Sequence, residues 1–267
     1  MKNKIISPII FLFLLPGFVI AQRHGSFQKY WFIKDADTLP YRLLLPVDYS
    51  PFDTLTRYPL IIFLHGGGEK GNNNESQLNH GGRIFTSDSI WRNYPAIVIF
   101  PQCSKGSSWN RTRAYVDTIT KIKTYKYPKH SPPKKDMQLV MELIPDLEKN
   151  YLVDTGRVYV GGLSMGGFGT YDIVNRMPGT FAAAIVMCGG ADTATAPNMK
   201  ETSWWIFHGE KDSTVFPENG RMMAKALKKA GADVKLTIYP EDGHDSWDDA
   251  FKEPGLFEWM FSKKLKK

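Results

Sequence analysis

Three hydrophobic spacings alternate along the chain. Short apolar runs occupy residues 58–64, 96–100, 157–161, 182–187 and 203–207, rich in β-branched and aromatic side chains. Continuous apolarity at that length predicts strands covered on both faces. Between them apolar residues recur at helical spacing: Met137, Val140, Met141, Ile144 and Leu147 in 137–150, Phe168, Tyr171 and Val174 in 167–177, and Met223, Ala226 and Leu227 in 220–230. Pro178-Gly179 and Gly231 stand where two of these helices should stop. Residues 27–33 and 39–45 read as an opening hairpin through Asp35-Ala36-Asp37, 234–239 alternates like a strand, and 251–265 predicts one closing helix. Strands alternating with helices predict an α/β fold, a mostly parallel sheet flanked by helices on both faces.

Length and composition fit one large core. The 267 residues are 42% hydrophobic, with no internal repeat, low-complexity tract or linker, so residues 22–267 are expected to form a single domain. Residues 1–21 read as a signal peptide. Lys2 and Lys4 precede an apolar stretch, residues 5–20, broken by Pro8, Pro16 and Gly17 and followed by Ala21. Such a stretch is short for a membrane span and carries no cysteine near the expected cut. A secreted or periplasmic chain with no membrane contact after cleavage is the expectation; its oligomeric state is not set by these features.

The densest chemical signal is Gly162-Leu163-Ser164-Met165-Gly166. A strand precedes it and a helix follows, the context in which Gly-x-Ser-x-Gly forms a nucleophile elbow. A serine hydroxyl is a weak nucleophile and needs a base oriented by an acid. Loops leaving the two later strands supply them: Asp212 in His208-Gly209-Glu210-Lys211-Asp212, and His244 in Pro240-Glu241-Asp242-Gly243-His244. Glu210, Asp192, Asp242 and Asp245 are rival acids, better suited to solvated loops. His208 is the rival base, but it ends a strand and suits a structural hydrogen bond. His24, His80 and His130 suit the surface. The strand at 58–64 opens into His65-Gly66-Gly67-Gly68-Glu69-Lys70-Gly71, whose glycines let backbone amides face a site. Oxyanion donors are therefore expected at Gly67, with Gly68 next, and at Met165. Without Gly-Lys-Ser/Thr the glycine run does not suit a phosphate loop.

On these motifs, together with Pro101-Gln102-Cys103 and Gly243-His244-Asp245-Ser246-Trp247, the chain resembles α/β-hydrolases of the secreted esterase type. That group includes feruloyl and acetyl-xylan esterases, polyhydroxybutyrate depolymerase-like enzymes, and proteins described as predicted peptidases or phospholipase/carboxylesterases. The resemblance spans residues 58–259 and implies the α/β-hydrolase fold, a serine triad and hydrolysis of carboxylic esters, including esters on plant polysaccharides. It also implies Gln102 as a substrate contact. A serine peptidase of prolyl-oligopeptidase type and a non-catalytic carbohydrate-binding relative are the alternatives. Residues 104–135 depart from the simplest members.

That departure carries the charge. It holds nine basic residues against Asp117 alone, whereas the chain as a whole is +7. Trp109, Tyr115, Tyr125 and Tyr127 are interleaved with them. The segment reads either as a solvated insertion or as a cap contacting an anionic or sugar-rich substrate; nucleic acid is not expected as a partner. Trp109 and Trp247 are candidate walls of the cleft, or plain packing. No His-Glu-x-x-His or Cys-x-x-Cys pattern occurs, so neither metal nor organic cofactor is expected. Cys103 and Cys188 follow strands that two others should separate, about 14 Å apart at the strand spacing, which disfavours a disulfide.

Overall fold

The computed structural model describes residues 25–119, 121, 123–126 and 131–265. The expected signal peptide, His24 and His130 lie outside the described residues.

The chain runs β1 (Gln28–Lys34), β2 (Asp37–Leu44), β3 (Tyr58–Leu64), α1 (Gly82–Phe85), α2 (Asp88–Asn93), β4 (Ile97–Pro101), β5 (Arg113–Val116) and β6 (Lys123–Lys126). It continues through α3 (Lys135–Asn150), β7 (Val153–Leu163), α4 (Met165–Arg176), β8 (Ala183–Met187), β9 (Ser203–Gly209), α5 (Glu218–Lys229), β10 (Val234–Tyr239), α6 (Trp247–Ala250) and α7 (Leu256–Phe261). Eight strands form one sheet in the order β1-β2-β4-β3-β7-β8-β9-β10. The pairs β1–β2 and β2–β4 are antiparallel; every later neighbour is parallel. This is the α/β-hydrolase fold.

Continuous apolar strands serve two cores at once, because successive side chains point to opposite faces. Leu60, Ile62 and Leu64 join one cluster, with Leu143 and Leu147 of α3, Tyr171 and Val174 of α4, and Leu227 of α5. Ile61 and Phe63 join the other, with Phe85 of α1, Trp91 of α2, and Leu256, Phe257 and Met260 of α7. Both faces are thereby covered. The carboxyl ends of the parallel strands carry the loops singled out above.

Two expectations need correction. Of the closing helix expected over 251–265 only α7 forms, because Pro254 cannot donate a backbone hydrogen bond and Gly255 turns at φ 77° to start it, while the short α6 lies before that range. The basic segment is more than a loop: β5 and β6 pair as an antiparallel hairpin separate from the main sheet. The cysteines behave as expected. Cys103 follows β4 and Cys188 follows β8, β3 and β7 lie between those strands, and both thiols are free and buried, in different core clusters.

Leu143 is fully buried in the α3 face of the core, whereas Leu55 is 91% exposed. Leu143→Ala should lower the unfolding free energy by about 2–5 kcal/mol, transfer and cavity terms together. Leu55→Ala should stay within about 0.5 kcal/mol. Urea denaturation of both variants checks the assignment, and equal effects would contradict it.

Candidate active site

β7 ends at Leu163 and α4 starts at Met165, so Ser164 alone makes the turn, at φ 50° and ψ −117°. For a residue with a Cβ this left-handed backbone costs on the order of 1–3 kcal/mol and persists only when its surroundings fix it. The surroundings are close. A Cβ on Gly166 would collide with the Leu64 carbonyl at the end of β3, and one on Gly162 would lie 2.7 Å from the same oxygen. The Ser164 N–H donates to the Met187 carbonyl of β8 at 2.9 Å, and the Ser164 carbonyl accepts from the Phe168 N–H at 3.1 Å.

The Ser164 hydroxyl lies 2.9 Å from His244 Nε2, and His244 Nδ1 lies 2.8 Å from Asp212 Oδ2. A carboxylate only accepts, so the imidazole proton sits on Nδ1 and Nε2 is left to accept from the hydroxyl. The other carboxylate oxygen accepts the Thr214 and Val215 N–H groups, both at 2.9 Å. His208 is fully buried beside this acid, with Nε2 2.7 Å from the Val215 carbonyl and 3.4 Å from Asp212 Oδ2. Since the carbonyl only accepts, His208 carries its proton on Nε2, directed between the two oxygens. Burial alone would raise the Asp212 carboxyl. The bonds from His208, His244 and the Val215 amide outweigh it and hold that carboxyl well below the usual carboxylate range.

Three of the four rival acids are occupied elsewhere or exposed. Glu210 pairs with Arg221, Asp192 accepts from Ala194 N–H in its own turn, and Asp245 is exposed. Cys188, considered in the sequence only for a disulfide, turns at φ 45° and links three strand ends. Its N–H donates to the Phe207 carbonyl of β9 at 2.9 Å, and its thiol donates to the His244 carbonyl at 3.1 Å. Cys188, Asp212 and His244 bring potential metal-ligand atoms within 4.8 Å of one another. Burial pushes the thiol up to about 12, and its hydrogen is donated to the His244 carbonyl. The cluster is built as a hydrogen-bonded unit.

Opposite the elbow, the loop after β3 is braced from below. His65 Nε2 accepts the Cys103 N–H at 2.9 Å, so Nδ1 carries the proton and donates to the Gly66 carbonyl at 2.6 Å. Trp109 Nε1 donates to the His65 carbonyl at 3.0 Å. Gln102 Nε2 donates to the Glu69 carbonyl at 3.1 Å and to Asn73 Oδ1 at 2.8 Å, while its Oε1 accepts the Asn74 N–H at 2.7 Å. Both Gln102 and Trp109 are 0% exposed. They support the loop, which corrects the substrate contact expected of Gln102 and, of the two readings for Trp109, leaves packing and not a cleft wall.

Gly67 and Gly68 are exposed, and a Cβ on either would meet nothing within 4 Å, so their backbone faces open space. The Met165 N–H heads α4, where the first N–H groups of a helix lack intrahelical acceptors. Trp247 stands edge-on to His244, ring centroids 5.5 Å apart, and 5.3 Å from the ring of His80. His80 Nε2 in turn lies 3.6 Å from Glu69 Oε1. The half-buried His80 and buried Glu69 thus adjoin the site, which no sequence pattern signalled.

Residues 54–254 match the profile of the phospholipase/carboxylesterase family. The chain belongs to that family. Among solved structures, this carboxylesterase-family chain is similar to a thermostable esterase, at 33% identity and a TM-score of 0.77, covering 89% of this chain and 63% of the other. Among sequences it is similar to a bifunctional acetylxylan esterase/xylanase of Neocallimastix patriciarum, 27% identical over 62% of this chain and 21% of the other. It is also similar to dipeptidyl peptidase family member 1 of Caenorhabditis elegans, 25% identical over 79% of this chain and 28% of the other. The chain therefore aligns with under a third of either of these two proteins.

The loop of this carboxylesterase-family site titrates with folding. Burial lowers the His65 imidazole from 6.5 to about 4 in the folded chain. Between those values the unfolded chain binds the extra proton, so stability rises with pH across the window. The contribution is complete above about pH 6.5 and is lost as pH falls toward 4, a change of about 3 kcal/mol. Urea unfolding at a series of pH values should show this decline, and His65→Asn should flatten it. NMR detection of His65 protonating above pH 6 would refute the assignment.

Proposed function

We propose that this family member is an exported serine esterase that cleaves carboxylic esters through an acyl-enzyme, including esters borne on plant polysaccharides. The observation that carries the proposal is the relay from Ser164 through His244 to Asp212, mounted on a strained elbow. Ser164 Oγ attacks the carbonyl carbon as His244 Nε2 takes its proton. Asp212 keeps the imidazole in the Nδ1–H tautomer and stabilises it once it is charged. Amides of Gly67 and Met165 receive the oxyanion, each contributing on the order of 10²–10³-fold in rate. His244 then protonates the leaving alcohol, and water, activated by the same imidazole, hydrolyses the acyl-enzyme.

Support for the substrate class comes from the family and from the similarity to an esterase structure and an acetylxylan esterase sequence. The similarity to a dipeptidyl peptidase supports a second reading, amide hydrolysis by the same relay. Export rests on the N-terminal sequence pattern alone. A panel of acetyl-xylan, feruloyl and short p-nitrophenyl esters beside an aminoacyl anilide separates the readings. Turnover of the anilide alone would leave the peptidase.

A fluorophosphonate probe should label Ser164 in the folded chain. Ser164→Ala should abolish labelling, and Ser164→Ala or His244→Ala should each lower kcat on the order of 10⁴-fold or more, with non-additive effects in the double variant. Asp212→Asn should cost somewhat less. His208→Leu removes one donor to the acid, and should lower kcat on the order of tenfold while leaving KM unchanged. A His208→Leu enzyme that is folded and fully active would remove His208 from this scheme.

A further inference from the structure

The basic segment concentrates charge of one sign, nine cations against Asp117 alone in residues 104–135. Some cations elsewhere sit against carboxylates, such as Lys29 with Glu75, Arg157 with Asp154, Arg176 with Asp172, Lys252 with Asp249 and Lys263 with Asp233, and within the segment Lys135 pairs with Asp37. Among the described residues, none of Arg111, Arg113, Lys123, Lys126 or Lys134 has a carboxylate within 4 Å. Unpaired like charges held together repel one another, which disfavours this arrangement unless an anion joins it.

The chain gives these charges a shape. A groove of about 500 Å³ lies between the base of the β5–β6 hairpin and the start of α3. Among the described residues its cations are Arg111, Arg113 and Lys134, and the rest of its lining is Ser108, Asn110, Thr112 and Ser131, none of them a carboxylate or an apolar side chain. Arg111 Nε is buried there without a hydrogen-bond partner among the described residues. The buried Asp172, whose carboxyl burial raises and Arg111 helps to lower, accepts from Arg176 at 2.7 Å through Oδ2, while its Oδ1 has no hydrogen-bond partner among the described residues.

The hairpin extends the groove. Cross-strand register pairs Arg113 with Lys126 and Tyr115 with Thr124, which places these four on one face. The other face carries Tyr125, seated edge-on against Phe168 with centroids 4.5 Å apart, and the Lys123 carbonyl accepts from Asn219 Nδ2 at 3.0 Å. Arg113, Tyr115 and Lys126 therefore face outward. Tyr115 is 49% exposed, with Lys126 Nζ 5.6 Å from its ring centroid.

We propose that the groove and the outward face of the hairpin together bind an acidic polysaccharide, a sugar chain bearing carboxylates, outside the Ser164 cleft. The cations match the carboxylates, the hydroxyl and amide lining matches sugar hydroxyls, and the exposed tyrosine ring offers a face for a pyranose to stack on. A lipid surface fits less well, because the described side chains that line the groove are all polar or charged. This site shares with the esterase reading only the attachment of the ester to a polysaccharide. Binding is its readout, so either proposal can fail alone.

The test is affinity electrophoresis and calorimetry of the full chain with polygalacturonate, neutral arabinoxylan, monomeric galacturonate, a single-stranded DNA oligomer and vesicles of anionic lipid, each at low and high ionic strength. Polygalacturonate should bind at low ionic strength and weaken as salt screens the charges, while arabinoxylan should not be retained. Arg113→Ser/Lys126→Ser/Lys134→Ser should raise Kd for polygalacturonate at least about tenfold. Thermal stability should be unchanged, and kcat/KM on a small neutral ester should stay within about twofold. Lys228→Ser/Lys252→Ser, a control on other surfaces, should leave binding as it was. If the triple variant does not fold, single Lys126→Ser and Lys134→Ser carry the test, each expected to weaken binding. Unchanged polygalacturonate binding in folded variants overturns the proposal. So does monomeric galacturonate binding as tightly as the polymer, or tighter binding of DNA or vesicles. A wild-type chain that binds polygalacturonate but hydrolyses no ester leaves this site standing and removes the esterase reading.

Discussion

No side chain fits between the first turn of α4 and the carbonyl end of β3. Gly166 lies against the Leu64 carbonyl, and Gly162 against Gly166 and that same oxygen. With the helix pressed so close to the sheet, one residue must reverse the chain, and Ser164 does so in a left-handed conformation. Its strain is offset by the bonds from its amide to β8 and from Phe168 to its carbonyl. The turn decides where the hydroxyl points, and His244 and Asp212 have to be delivered to that place.

Delivery is shared among neighbouring strand ends. β9 supplies both His208 and the loop bearing Asp212, so the acid and its buried companion cannot drift apart. β10 leads into the loop of His244, and Cys188, just beyond β8, fastens that loop through the His244 carbonyl. The carboxylate receives two amides and two imidazoles, a fixed set of donors that needs no rearrangement when the histidine becomes charged. Precision at the site thus comes from sheet register, the most rigidly specified feature of the molecule.

Much of this was legible in the chain because its causes are local. The strands Tyr58–Leu64 and Val234–Tyr239 have the predicted bounds, since run length and alternation act within a few residues. Ser164, Asp212 and His244 could be chosen because each follows a strand end, and the structure brings all three into hydrogen-bond contact. Gln102 misled because it neighbours a motif, and Trp109 stayed open between wall and packing, since sequence does not show that their polar atoms are consumed by backbone at Glu69, Asn74 and His65. The β5–β6 hairpin was hidden because Arg113–Val116 and Lys123–Lys126 have little apolar alternation. His80 and Glu69 meet the site only through the fold. The broken closing helix is a different case: Pro254-Gly255 was plain to see and was outweighed by the apolar spacing around it.

The two cysteines have a consequence for how the protein can be made. Their thiols sit in separate cores of one sheet, and two strands stand between the strands they follow, so the native chain cannot close on itself through sulfur. Its folded state is therefore indifferent to the oxidising or reducing character of its surroundings, and it reaches that state without a disulfide isomerase. Sulfur chemistry is confined to chains still unfolded, where thiols on two molecules can meet.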